Sequence, residues 1–145
     1  MATFQFVATT PKEPADVLLF FADMRNAPSW DLSVREVERL DGDGPVSVGS
    51  SFRVTVLVSK RAVTLTYRVI ILNARDGLVL RAINRLFISE DTVTVRPQHE
   101  GQFEVTYRAR LRGRGVMRLA EPLLQGTLNE LGARAGLKLC EGYFS

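Results

Sequence analysis

Between residues 49 and 113 apolar and polar side chains alternate with a period of two, in one stretch after another. Successive side chains of a strand leave on opposite faces, so such alternation sorts a sheet into a dry side and a wet side. Phe52, Val54 and Val56, then Val63, Leu65, Tyr67 and Val69, then Phe103, Val105, Tyr107 and Ala109 share one face. Arg53, Thr55, Thr64, Thr66, Arg68, Glu104, Thr106, Arg108 and Arg110 share the other. A wide antiparallel sheet with one dry face must cover that face, and this requirement governs what the rest of the chain has to do.

The alternation predicts strands at residues 3–8, 33–40, 49–59, 61–74, 76–83, 86–98 and 101–113, with short links that favour an antiparallel meander. A tight turn at Lys60-Arg61 and a hairpin at Asn84-Arg85 are expected. Helical spacing governs two other regions. "PADVLLFFADM" (14–24) carries Val17, Phe20, Phe21 and Met24 on one stripe behind a first-turn proline, and Asn26 is placed to cap a second short helix through "APSWDL". Residues 114–144 place Leu119, Leu123, Leu124, Leu128, Leu131, Ala135 and Leu139 on one stripe, with Pro122 either starting that helix or kinking it. Gly126, Gly132 and Gly136 each cost it roughly 1 kcal/mol against Ala. Close approach of the helix backbone to the sheet is the simplest compensation. Two short helices and one long one must therefore cover a wide curved face: either the sheet curls until it packs, or a space remains.

The order strand, two short helices, six strands and long helix resembles the helix-grip fold of the START and birch-pollen-allergen superfamily, also called SRPBCC or polyketide cyclase/dehydrase-like. "PADVLLFFADMRNAPSWDLSVREVERL", "VGSSFRV", "DTVTVRP" with "GQFEVTYRARLRG", and "PLLQGTLNELG" carry the resemblance over nearly the whole chain. It implies an α+β domain spanning 1–145, in which a seven-stranded antiparallel sheet and the C-terminal helix enclose a hydrophobic cavity. It also implies binding or transport of a lipid- or polyketide-like molecule, or a cyclase, aromatase or dehydratase activity. The single tryptophan, Trp30, either packs between helix and sheet or faces that cavity, where its N–H would meet water or ligand.

Few groups are available for chemistry. With Asn84-Arg85 as the hairpin, Leu80 and Ala82 share the inner face with Phe87, Ser89, Asp91, Val93 and Val95, which sets a carboxylate and a hydroxyl among apolar neighbours. A desolvated Asp91 would have a raised pKa and could exchange a proton with a ligand carbonyl or enol; a register slip of one residue would instead turn it out to solvent. Asp91 is the best catalytic candidate. The expected lining is Trp30, Tyr67, Ser89, Asp91, Phe103, Val105, Tyr107, Leu124, Leu128 and Leu131. One histidine and one cysteine, Cys140, exclude a Cys/His metal cluster and an intrachain disulfide, and His99, in the turn "PQHEG" where solvent exposure is expected, gives no basis for a Ser/His/Asp triad; no metal or other cofactor is expected.

A net charge of +3, from 19 basic against 16 acidic residues, is too mild to argue nucleic acid, and DNA is not an expected partner. The alternating Arg108, Arg110 and Arg112, followed by Arg114 and Arg118, form a cationic stripe suited to RNA, an anionic membrane surface or an acidic protein. No aromatic residues interleave it to stack bases. No apolar run reaches membrane-spanning length and no secretory leader precedes the first strand, so a cytoplasmic protein without stable membrane insertion is expected; an oligomer is compatible but not specified.

Overall fold

The computed structural model describes residues 1–58 and 60–145. Among them the alternating stretches form a seven-stranded antiparallel sheet in the order β1-β7-β6-β5-β4-β3-β2. The strands are β1 (Ala2–Thr10), β2 (Val34–Arg39), β3 (Ser51–Val58), β4 (Arg61–Asn73), β5 (Gly77–Ile83), β6 (Phe87–Pro97) and β7 (Phe103–Gly113). β2 through β7 follow one another as a meander, and β1 closes the order by pairing along β7 from Ala2 opposite Leu111 to Thr10 opposite Phe103. The expected end of β3 at residue 59 falls on Ser59, outside the described residues. Register shifts in β2–β3 at Val34/Glu36 and in β4–β5 at Val69/Ile71 mark bulges, which bend a sheet and increase its twist.

The two faces follow the alternation. Phe52, Val54, Leu65, Tyr67, Val69, Val105 and Tyr107 are buried, whereas Arg53, Thr64, Thr66, Arg68 and Arg108 are exposed. The β5–β6 hairpin is longer than the expected Asn84-Arg85 turn: Ile83 pairs with Ile88, and the Asn84 side-chain oxygen accepts from the amides of Leu86 and Phe87. Lengthening the turn by two residues moves the register by two, which keeps every side chain of β6 on its face.

Two helical segments carry the chain from edge strand β1 to edge strand β2. α1 (Pro14–Ala22) buries Val17, Leu18, Phe21 and Ala22 against the sheet. The second is a 3-10 helix, Met24–Ser29, whose N-cap is Asp23 accepting from the amide of Arg25. Asn26 therefore does not cap it; its amide group donates to the Phe20 carbonyl oxygen instead. Trp30 follows the last turn of this helix, so the segment stops at Ser29, short of the expected run through "APSWDL", and Trp30 marks the exit towards β2.

A further 3-10 helix, Gly115–Ala120, leads into α2 (Glu121–Glu141), which starts with Pro122 in its first turn and lies along β1. Leu124, Ala135 and Leu139 are buried and Leu128 and Leu131 half-buried, but Leu119 and Leu123 are 86% and 74% exposed. The expected stripe fails at its start for two reasons. The 3-10 segment turns three residues per turn, so Leu119 is out of phase with α2, and Leu123 precedes the buried Leu124 by about 100° of helix rotation. The glycines also differ among themselves. A Cβ on Gly132 would stand 2.0 Å from the Phe4 ring and one on Gly136 3.6 Å from Phe6, whereas Gly126 has nothing within 4 Å. Close approach to the sheet thus accounts for Gly132, in weaker form for Gly136, and not for Gly126.

Candidate ligand-binding site

Because α2 is drawn onto β1 at Gly132, it covers one side of the inner face, while α1 packs on β4, β5 and β6. Between these two covers lies a cavity of about 110 Å³. At about 30 Å³ per water, it has room for roughly four waters or a small organic molecule. One side is built from Val54, Val56, Leu57, Val63 and Leu65 of β3 and β4, the opposite side from Leu124, Thr127, Leu128 and Leu131 of α2. Phe21, Met24, Ala27 and Trp30 close it from the short helices. The lining is overwhelmingly apolar.

Four of its polar groups, Tyr67, Ser89, Asp91 and Tyr107, sit on β4, β6 and β7. Across the sheet Tyr67 faces Ala82, which faces Ser89; Leu80 faces Asp91, which faces Ala109. The small Ala82 and Ala109 leave room beside the larger polar side chains. Tyr67 Oη and Ser89 Oγ share a hydrogen bond of 2.7 Å, and Tyr107 Oη donates to Asp91 Oδ2 at 2.8 Å. Burial pushes the Asp91 carboxyl up to about 7, against the opposing pull of the Tyr107 hydrogen bond. Burial, and then the nearby Asp91 charge, hold the Tyr67 and Tyr107 hydroxyls well above the usual phenol range. Desolvation dominates because an ionised group inside an apolar wall loses its water without gaining a counter-charge.

Trp30 is 7% exposed and packs edge-on against Phe21 and Tyr107, with ring centroids 5.4 and 5.3 Å apart. It both packs between helix and sheet and lines the cavity, and its Nε1 is buried with no hydrogen-bond partner among the described residues. Of the residues expected to line the space, Trp30, Tyr67, Ser89, Asp91, Tyr107, Leu124, Leu128 and Leu131 do so. Phe103 and Val105 do not: Val105 is fully buried in packed core, and Phe103 is half-buried beyond it, paired with Pro97 and Thr10. Alternation tells which face a side chain takes, but not how far along a strand the cavity runs.

Asp31 is the residue the spacing missed. It lines the same cavity, its Oδ1 accepts from the Ser33 amide at 2.9 Å and hydroxyl at 2.7 Å, and burial raises its carboxyl above the usual range. In sequence, Asp-Leu-Ser reads as a turn cap. Arg110, assigned to the outer face, is half-buried and also reaches the lining, with Nε buried and unpaired among the described residues. His99 sits in an exposed turn away from these groups.

The sequence profile of the family described as polyketide cyclase / dehydrase and lipid transport matches residues 1–138. The chain belongs to this family. A comparison with curated proteins finds no match. Solved structures similar to this polyketide cyclase / dehydrase and lipid transport family member include a hypothetical protein from Helicobacter pylori, 12% identical over 99% of this chain and 87% of that one, with a TM-score of 0.70. Norcoclaurine synthase from Thalictrum flavum, in complex with dopamine and hydroxybenzaldehyde, is 12% identical over 97% and 87% of the two chains, TM-score 0.62. A START superfamily protein from Mycobacterium smegmatis is 12% identical over 92% and 96%, TM-score 0.59. What is shared at these identities is the helix-grip fold. This family member places Tyr67, Ser89, Asp91 and Tyr107 on the sheet wall of an apolar space, an arrangement that can orient a ligand by a few hydrogen bonds while burial supplies affinity.

Proposed function

We propose that the protein binds an apolar small molecule of lipid or polyketide type, carrying a hydroxyl or carbonyl group, in the cavity between the sheet and α2. The observation that carries this reading is the apolar cavity with Tyr67, Ser89, Asp91 and Tyr107 on one wall. A ligand that buries about 200 Å² of apolar surface gains roughly 5 kcal/mol at 25 cal/mol per Å². Its polar group can accept from the unpaired Trp30 Nε1–H or exchange hydrogen bonds with the free oxygen of Asp91. The exposed, unpaired Cys140 suits a cytoplasmic setting, where thiols stay reduced. Calorimetric titration with naphthols and with fluorescent fatty acids tests the proposal. Saturable binding to the wild type that is lost in Leu128→Trp, which fills the space, supports it; absence of saturable binding across both classes overturns it.

A second reading is favoured by one observation: a carboxyl whose pKa is near 7, hydrogen-bonded inside a pocket, is matched to moving protons at neutral pH. On that reading the bound molecule is a substrate of a cyclase, aromatase or dehydratase type of reaction, with Asp91 as acid or base. Exchange of the α-protons of bound 2-tetralone in deuterated water measures this directly. Loss of exchange in Asp91→Asn, with binding retained, supports catalysis; equal exchange in both removes it.

A further inference from the structure

The strand order sends the β3–β4 turn, the β5–β6 turn, the 3-10 helix Gly115–Ala120 and the start of α2 to the same end of the sheet. At that end Val116, Leu119 and Leu123 are 79%, 86% and 74% exposed, and Leu86 of the β5–β6 turn is 44% exposed. The two elements touch: the Arg114 amide donates to the Leu86 carbonyl oxygen at 2.8 Å, and Arg114 Nη1 to the Asn84 carbonyl oxygen at 2.7 Å. The four exposed side chains therefore belong to hydrogen-bonded or consecutive elements at one end of the sheet. Monomeric surfaces seldom leave four large apolar side chains together without a use for them.

The same end is basic. Arg61, Arg85, Arg112, Arg114 and Arg118 are all exposed there, and no carboxylate pairs with any of them among the described residues. At that end Glu121 is engaged by the Met1 amine and the Gly113 amide, and Asp31 is turned into the cavity and held by Ser33. The opposite end of the sheet carries the exposed acids Asp41, Asp43, Asp76 and Glu100 in its connections. The cavity lining reaches the basic end through Leu57, Phe87, Leu111 and Leu124, the last adjacent in sequence to the exposed Leu123.

We infer that this end docks peripherally on an anionic lipid bilayer, with Val116, Leu119 and Leu123 entering the headgroup boundary and the arginines meeting lipid phosphates. The surface is a projecting turn and helix start, which suits a soft interface, and it combines leucines with cations as interfacial helices do. A second copy docked on the same patch by two-fold symmetry would bring arginines against arginines. Single-stranded RNA would find no exposed aromatic ring on it to stack on. Docking of this kind adds no spanning segment; among the described residues no helix is long and apolar enough to cross a membrane.

Co-sedimentation of the whole chain with vesicles decides the matter. Binding to equal-part phosphatidylcholine and phosphatidylglycerol vesicles should exceed binding to phosphatidylcholine alone by about tenfold and fall as salt is raised. Leu119→Asp with Leu123→Asp should lower it about tenfold, and so should Arg112→Glu with Arg118→Glu, while Leu40→Asp with Val48→Asp at the acidic end leaves it unchanged. All these positions are solvent-facing, and unchanged circular dichroism confirms that each variant folds. Equal binding to both vesicle types, no binding to either, or wild-type binding by both the leucine and the arginine variants overturns the inference. So does a concentration-dependent dimer that Leu119→Asp abolishes, which would assign the patch to a second copy, or retention of an acidic protein in place of vesicles.

Discussion

Replacing Asp91 by Asn should make the protein more stable, and increasingly so as pH rises. In the folded chain burial lifts this carboxyl from its ordinary 3.8 to about 7. At 1.36 kcal/mol per pH unit the difference amounts to about 4 kcal/mol. The sign follows from proton binding: between those two values the folded state holds a proton that the unfolded state has released. The contribution of Asp91 to stability is therefore fully present below about pH 3.8 and is lost as pH climbs through about 7. The amide in the Asp91→Asn variant does not titrate, yet its oxygen can still accept from Tyr107. Urea denaturation followed by Trp30 fluorescence, for wild type and Asp91→Asn in parallel, cancels the titration of every other group. Near pH 4 the two curves should agree to within about 1 kcal/mol, and at pH 8 the variant should be ahead by about 4 kcal/mol. A difference that stays flat with pH, or that favours wild type at pH 8, would mean that Asp91 ionises as a solvated carboxyl. The wall would then be wet and the reasoning refuted.

Other expectations concern the helix and the cavity wall. Gly126→Ala, with open space at its Cβ, should stabilise by roughly 1 kcal/mol, whereas Gly132→Ala should destabilise despite the same gain in helix propensity, because overpacking against Phe4 costs about 1–3 kcal/mol; thermal melts of both rank them. Leu124→Ala should cost about 2–5 kcal/mol and Leu123→Ala less than about 0.5, opposite to what a shared apolar stripe requires, as urea midpoints will show. Tyr107→Phe removes the hydrogen bond that lowers the Asp91 pKa, so the carboxyl resonance of Asp91 should titrate at higher pH than in wild type by NMR.

Much of this architecture is legible in the residues, and the failures have physical causes. The dry face can be read because period-two alternation survives errors in turn length that are even in residue number. Asp91 keeps its inward place although the β5–β6 turn is longer than Asn84-Arg85. Leu119 and Leu123 escape the pattern because a helical stripe extrapolated across Pro122 ignores the change to 3-10 winding before it. Phe103 and Val105 take the expected face but not the expected depth, and only the placement of α2 on β1 decides where the space ends. Asp31 is hidden in the sequence because its local bonds to Ser33 make it look like an ordinary turn residue. No local pattern points to the unpaired Trp30 N–H, which depends on packing among Phe21, Tyr107 and the cavity.

Because Trp30 is the single tryptophan and lines the cavity, its indole N–H gives one proton–nitrogen resonance placed to report on that space. Titration of labelled protein with a naphthol should move that resonance saturably in wild type, and the movement should vanish in Leu128→Trp once the added indole signal is set apart. A Trp30 resonance that stays fixed across naphthols and fatty acids, or that moves equally in Leu128→Trp, would contradict a ligand site between the sheet and the long helix.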